Sequence, residues 1–164
     1  MNLFNKFNKK TYGSEYRNHL LEQYKILVAT TDKTSDRRNI ANNFYLGLNT
    51  ALIALIGITV KLIELSWLQP IIYIVGVAFS VIFWFLINSY KQLNSGKFNV
   101  IRKIESHLPL NMFKYEWKIL GEGKDKKLYF PFSHIERYIP VVLGVTYFCL
   151  LLPYIKEILL TVCR

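Results

Sequence analysis

The sequence predicts an all-α membrane protein: three transmembrane helices, with cytoplasmic amphipathic helices before and between them. Three observations predict it. Apolar residues make up 52% of the 164-residue chain although its formal charge is +10, so the two kinds of residue must be segregated. Three spans carry no charge at all: Asn39 to Val60, Leu65 to Tyr90 and Tyr138 to Ile155. Each is about the length that a helix needs to cross a hydrocarbon core of ~30 Å, and too little polar chain remains to cover all three in a water-soluble domain.

The first twelve residues are polar and basic, with Phe4 and Phe7 set among lysines and asparagines. TYGSEYRN follows where a secretory signal would have its apolar core, so insertion through the first span is expected, with nothing cleaved. Ser14 is placed to cap a helix in which Tyr16, Leu20, Tyr24, Leu27 and Thr31 share a face. Packing against a neighbouring cytoplasmic helix is the expected use of that face. The polar run from Thr30 to Asn39 reads either as a hinge or as a solvated turn of one longer helix. If a new helix starts there, Ser35 would cap it, and Asp36 would suit its positive end.

The domains are expected at 1–38, 39–90, 91–137 and 138–164, with the first span at about 42–62 and the second at about 70–90. The link from Lys61 to Pro70 is short, which makes spans one and two an antiparallel hairpin. Trp67 sits at its tip and Pro70 in the first turn of the second helix. No breaker follows Tyr90. The helical pattern therefore runs on through Leu93, Lys97, Val100 and Ile104 until Pro109, placing Glu105 about 20 Å along the axis from Tyr90. A short helix is expected from Asn111 to Leu120, then a glycine turn. Ser133 and Glu136 have the spacing of a capping box opening the third span, where Pro153 should kink or end the helix.

Lysine and arginine set the topology. Segments 1–43 and 88–137 hold 8 and 10 of them, against 1 in the hairpin tip 61–70 and 2 in the tail 153–164. Positive charge marks the cytoplasmic side, so the N-terminus is expected inside and the C-terminus outside. Arg37, Arg38, Lys91 and Arg137 flank the spans and are expected to meet anionic lipid headgroups. Lipid explains the lysines interleaved with Tyr115, Trp117, Tyr129, Phe130 and Phe132 more simply than nucleic acid does, and no nucleic-acid partner is expected.

Within the first span, Asn43, Gly47, Thr50, Ala54 and Gly57 recur at alternating steps of four and three. On a helix they form one seam, and every member is small or polar. Such a seam lets another helix approach closely, Gly76 and Ser80 of span two being the expected partner face. The same seam could line a pore in an oligomer, with Asn42 and Asn49 on its adjacent edge. Both uses hold if it faces a ring axis.

Catalytic signals are lacking. No acidic, basic or histidine side chain lies in the middle of any span, which counts against a proton pump or a coupled transporter. GEGK at Gly121 to Lys124 lacks the spacing of a phosphate loop and reads as a turn. His19, His107 and His134 have no partners at ligand spacing, and Cys149 and Cys163 are isolated. No enzyme activity, cofactor or metal is expected.

Four strings carry a resemblance: SDRRNIANNF (Ser35 to Phe44), SYKQLNSGKF (Ser89 to Phe98), EWKILGEGKD (Glu116 to Asp125) and FSHIERYIP (Phe132 to Pro140). Together they resemble the RipA family of octameric membrane proteins, small proteins of the bacterial inner membrane, from about Tyr24 to Tyr147. The resemblance implies a homo-oligomeric, eightfold ring and brings no catalytic residues. A looser likeness is to the SLATT proteins, whose suspected role as pore-forming effectors in bacterial conflict belongs to a two-span plan that the third span departs from. A pore or permeabilising effector coupled to a cytosolic partner is the first expectation. A non-conducting scaffold that recruits cytosolic proteins or organises lipid is the second.

Overall fold

A run of uncharged residues folds as helix because only a helix satisfies every backbone group within its own segment in lipid. The computed structural model, which describes residues 3–4, 9–125, 128–129 and 135–162, follows that rule. Among the described residues there are helices and no strand. They are α1 (Lys9–Tyr12), α2 (Tyr16–Lys61), a 3-10 segment (Ile63–Leu68), α3 (Gln69–Glu105), α4 (Met112–Ile119), a 3-10 turn (Gly121–Gly123) and α5 (Tyr138–Val162). α2, α3 and α5 each contain a stretch long and apolar enough to cross a membrane.

The polar run Thr30 to Asn39 resolves as continuous helix, part of the 46 residues of α2. Its hydroxyls do not break the helix because they bond back into it. Thr30 and Thr31 donate to the Leu27 carbonyl, and Thr34 donates to that of Thr30. Pro153 likewise does not end α5, which runs on to Val162. Ser133, His134, Phe130, Phe132 and Cys163 lie outside the described residues.

The chain divides into two compact units. The first comprises Met1–Arg37 and Tyr90–Pro131. Its core is Leu20 and Tyr24 of α2 against Ile101 and Ile104 of α3, with Leu27, Val28, Phe98 and Phe113 around them. The amphipathic face read from the sequence is thus used for helix packing. Lys97 reaches α2, donating to the Thr30 carbonyl (2.6 Å) and to Thr34 Oγ1 (2.7 Å). Glu105, at the end of α3, is fully buried and holds α4 by its start. It accepts from the backbone N–H of Phe113 (2.9 Å) and of Lys114 (3.1 Å), and from the Tyr24 hydroxyl (3.1 Å). These N–H groups belong to the first turn of α4, where Asn111 makes no side-chain cap, so Glu105 supplies the missing acceptor. Burial, then the bond to Glu105 and its charge, push the Tyr24 hydroxyl up to about 12.

Past α4, Gly121, Glu122 and Gly123 all have positive φ (68°, 54° and 71°), a left-handed turn for which the two glycines are suited. The exposed pair of Lys124 and Glu122 (2.7 Å) closes it, the hydrogen bond holding the carboxyl below and the amine above their usual values.

The second unit comprises Arg38–Ser89 and Phe132–Arg164. Tyr45 of α2 stacks on Phe83 of α3, with ring centres 5.0 Å apart and planes within 5°. Tyr147 of α5 is buried against Gly76 of α3 and directs its hydroxyl to the Asn49 carbonyl. Tyr154 of α5 donates to Gln69 at the start of α3. Aromatic side chains with one polar end thus tie the three helices together, an arrangement suited to a site dry enough for each hydroxyl to need a partner.

Candidate functional site

The seam of the first span faces outward. In the second unit Arg38, Ala41, Asn42, Tyr45, Leu48, Asn49, Leu52, Ile56 and Thr59 are the buried or half-buried positions of α2, Asn49 and Thr59 almost completely so. Asn43, Gly47, Thr50, Ala54 and Gly57 are all exposed. At 100° per residue their mean direction lies about 160° from that of the packed face. A Cβ added at Gly47 or Gly57 would meet nothing within 4 Å. Thr50 bonds back to the Leu46 carbonyl, and Asn43 has no side-chain partner among the described residues.

Three expectations need correction: the partner of Gly76 and Ser80, the place of Asn42 and Asn49, and the role of Arg38. Gly76 and Ser80 do not serve the Gly47/Ala54 side of α2. They face α5: the Cβ that Gly76 lacks would fall 2.6 Å from the Tyr147 ring, and a Cβ on Gly144 would come within 3.3 Å of Ser80. A glycine notch accepts whichever bulky group lies opposite, and here that group is an aromatic ring 71 positions further along the chain. Asn49 does not edge the seam either. It is 2% exposed, and its amide donates to the Tyr45 carbonyl. Asn42 also turns away from the seam, donating to Glu136 Oε1 (3.0 Å).

The third correction concerns Arg38. Instead of reaching freely toward headgroups, it lies 3.9 Å from Glu136 Oε2, with its side chain 21% exposed. Glu136 is 3% exposed, so Asn42 and Arg38 together offset a carboxylate withdrawn from water. The sequence marks Glu136 only as half of a capping box. Its role in joining α2 to the entry of α5 has no local signal. Arg37 is exposed, and Arg137 and Lys91 are half-buried.

A five-residue stripe on a long apolar helix, turned away from its own subunit and holding no large side chain, is suited to contact between copies. The model of the Octameric membrane protein family (8xMP) matches residues 21–155. The chain belongs to this family. No curated protein and no solved structure matches it. As a member of the octameric family it is a membrane protein whose relatives assemble in eights, and the match takes in all of the stripe and the Arg38–Asn42–Glu136 cluster. Among the described residues no three histidines, cysteines or carboxylates are grouped to hold a metal.

Proposed function

We propose that the protein is a homo-octameric ring of the bacterial inner membrane in which the outward stripe of α2 meets the neighbouring copies and borders a pore. The N-terminus and the basic unit lie in the cytosol and receive the partner or signal that opens it. One observation carries this reading: Asn43, Gly47, Thr50, Ala54 and Gly57 are all exposed on the subunit, with none of the described helices covering them. Small residues gain from close backbone approach and offer little to lipid, so a second protein surface is the natural cover. Where the stripe reaches the axis, rings of Asn43 and Thr50 give a neutral, hydrated lining, and no titratable group stands in the path. Arg37, Lys91 and Arg137 meet anionic headgroups, and the protein performs no catalysis.

Purified octamer in liposomes tests the conducting form. Passage of ions or small solutes on addition of a cytosolic extract or a ligand is expected, and the pore falls if nothing passes under any trigger. Gly47→Leu and Ala54→Leu separate the two uses of the stripe. Loss of the octamer in detergent means packing; an intact octamer with altered flux means lining.

A second reading is favoured by α4. Met112, Tyr115 and Ile119 are exposed along one side of it, Leu110 precedes them, and Lys114 and Lys118 flank them. An apolar strip with basic edges suits a cytosolic protein with an acidic rim. If the liposomes stay tight while α4 captures such a protein, the molecule is a membrane scaffold.

A further inference from the structure

The second unit holds a groove on its α3–α5 side that the assembly reading leaves unused. Its volume is about 340 Å³, and Val77, Val81 and Trp84 of α3 face Pro140, Val141 and Phe148 of α5 across it. Ser80 and Gly144 form the floor, where the helices touch, and no α2 residue lines it. Gly76 lies against Tyr147 and Ser80 against Gly144, so the two helices run antiparallel. That register brings Trp84 level with Pro140 and Val77 level with Phe148. From Val77 to Trp84 the groove follows α3 for about 10 Å, a third of a hydrocarbon core of ~30 Å.

We propose that this groove binds one acyl chain of an anionic phospholipid, whose phosphate rests on Arg137. Three features select that occupant. The groove lies in two of the three helices able to span a membrane, so acyl chains are its solvent. Its lining side chains are apolar apart from the Ser80 hydroxyl and the Trp84 indole N–H at one end, and the Ser80 proton is spent on the Gly76 carbonyl at 2.8 Å, leaving the interior little to offer a polar ligand. Arg137 stands three residues before Pro140, at the Trp84 end. It is half-buried and makes no ion pair among the described residues. Tail and headgroup sites are thus set in the order of a phospholipid entering from the membrane surface. Since acyl chains are equally apolar everywhere in the bilayer, selectivity comes from van der Waals fit against Trp84 and Phe148 and from the Arg137 guanidinium.

The proposal does not rest on conduction, and its test does not read conduction. Octamer is reconstituted in nanodiscs of equal phosphatidylglycerol and phosphatidylethanolamine and then extracted into detergent. The lipid retained per subunit is counted by mass spectrometry, alongside the oligomeric state. The wild type should keep phosphatidylglycerol in preference. Val145→Trp, at an exposed position on the α5 wall, should lose retained lipid of both kinds while the octamer persists, and Val81→Trp on the α3 wall should do the same. Arg137→Gln should lower the preference for the anionic lipid about tenfold, the worth of one charge-assisted contact. If the wild type retains no more lipid than the filled variants, the site is overturned. If both tryptophan variants dissociate the octamer, a neighbouring copy occupies the groove and the proposal is wrong. An unchanged preference in Arg137→Gln overturns the headgroup contact.

Discussion

Glu105 shows what a single buried carboxylate does when it collects three donors from two distant parts of the chain. Replacing it with alanine leaves the N–H groups of Phe113 and Lys114 and the Tyr24 hydroxyl without their acceptor. The expected cost is about 3 kcal/mol, concentrated on α4. Amide exchange at residues 113 and 114 should accelerate in Glu105→Ala while that of 138–162 stays unchanged. Equal protection in both proteins would mean that α4 is held by something else. Tyr24 adds a pH dependence. Its folded value of about 12 stands above the ordinary 10.0, so the folded unit holds the proton more tightly than the unfolded chain. That contribution is fully present below pH 10.0 and is lost as the pH rises toward 12. Tyr24→Phe should flatten this part of the alkaline unfolding curve, followed by circular dichroism, with the neutral-pH transition shifted far less than in Glu105→Ala. None of this was legible in the sequence. Glu105 looks like any surface acid at the end of a helix, and its partners come from 81 positions upstream and from the turn beyond Pro109.

At the scale of the element, the spans were legible because absence of charge over twenty residues is a one-dimensional signal. Which face of a span packs on which neighbour is not. α2 carries two stripes with the same alternation of three and four: the seam from Asn43 to Gly57, and Tyr45, Asn49, Leu52, Ile56 and Thr59. The second meets the rest of the subunit because it offers bulk, with Tyr45 stacking on Phe83. The first, made of small groups, is left outside. Gly76/Ser80 was legible as a close-approach site, but the ring that fills it comes from α5. Glycine substitutions separate the two stripes by sign. Gly76→Ala drives a methyl into the Tyr147 ring and should destabilise the subunit by about 1–3 kcal/mol. Gly47→Ala and Gly57→Ala meet nothing and exchange glycine for a better helix former, so each should be neutral or stabilising by up to about 1 kcal/mol. Thermal unfolding in a detergent that keeps subunits apart makes the comparison. Destabilisation by Gly47→Ala under those conditions would mean that its face is packed within one chain.

For the molecule as a whole, the distribution of charge predicts an orientation with the basic segments inside. Reversing the chain in the membrane would carry segments 1–43 and 88–137, with 8 and 10 lysines and arginines, to the outer side. Each positive charge moved outward opposes the membrane potential by about 2.3 kcal/mol per 100 mV, whereas the opposite orientation exports only the few in the hairpin tip and the tail. The two units divide the chain along the same lines, since Tyr90–Pro131 joins Met1–Arg37 and Arg38–Ser89 joins Phe132–Arg164. Ser66 and Ser106 report the two sides, both exposed and both small enough to exchange for cysteine. In a background carrying Cys149→Ser and Cys163→Ser, Ser66→Cys should react in intact cells with a maleimide that does not cross membranes. Ser106→Cys should react only after the membrane is opened. The reverse pattern would put the basic unit outside. It would also remove the cytosolic trigger from the proposed pore, because α4 with its exposed Met112, Tyr115 and Ile119 belongs to the same unit as Ser106.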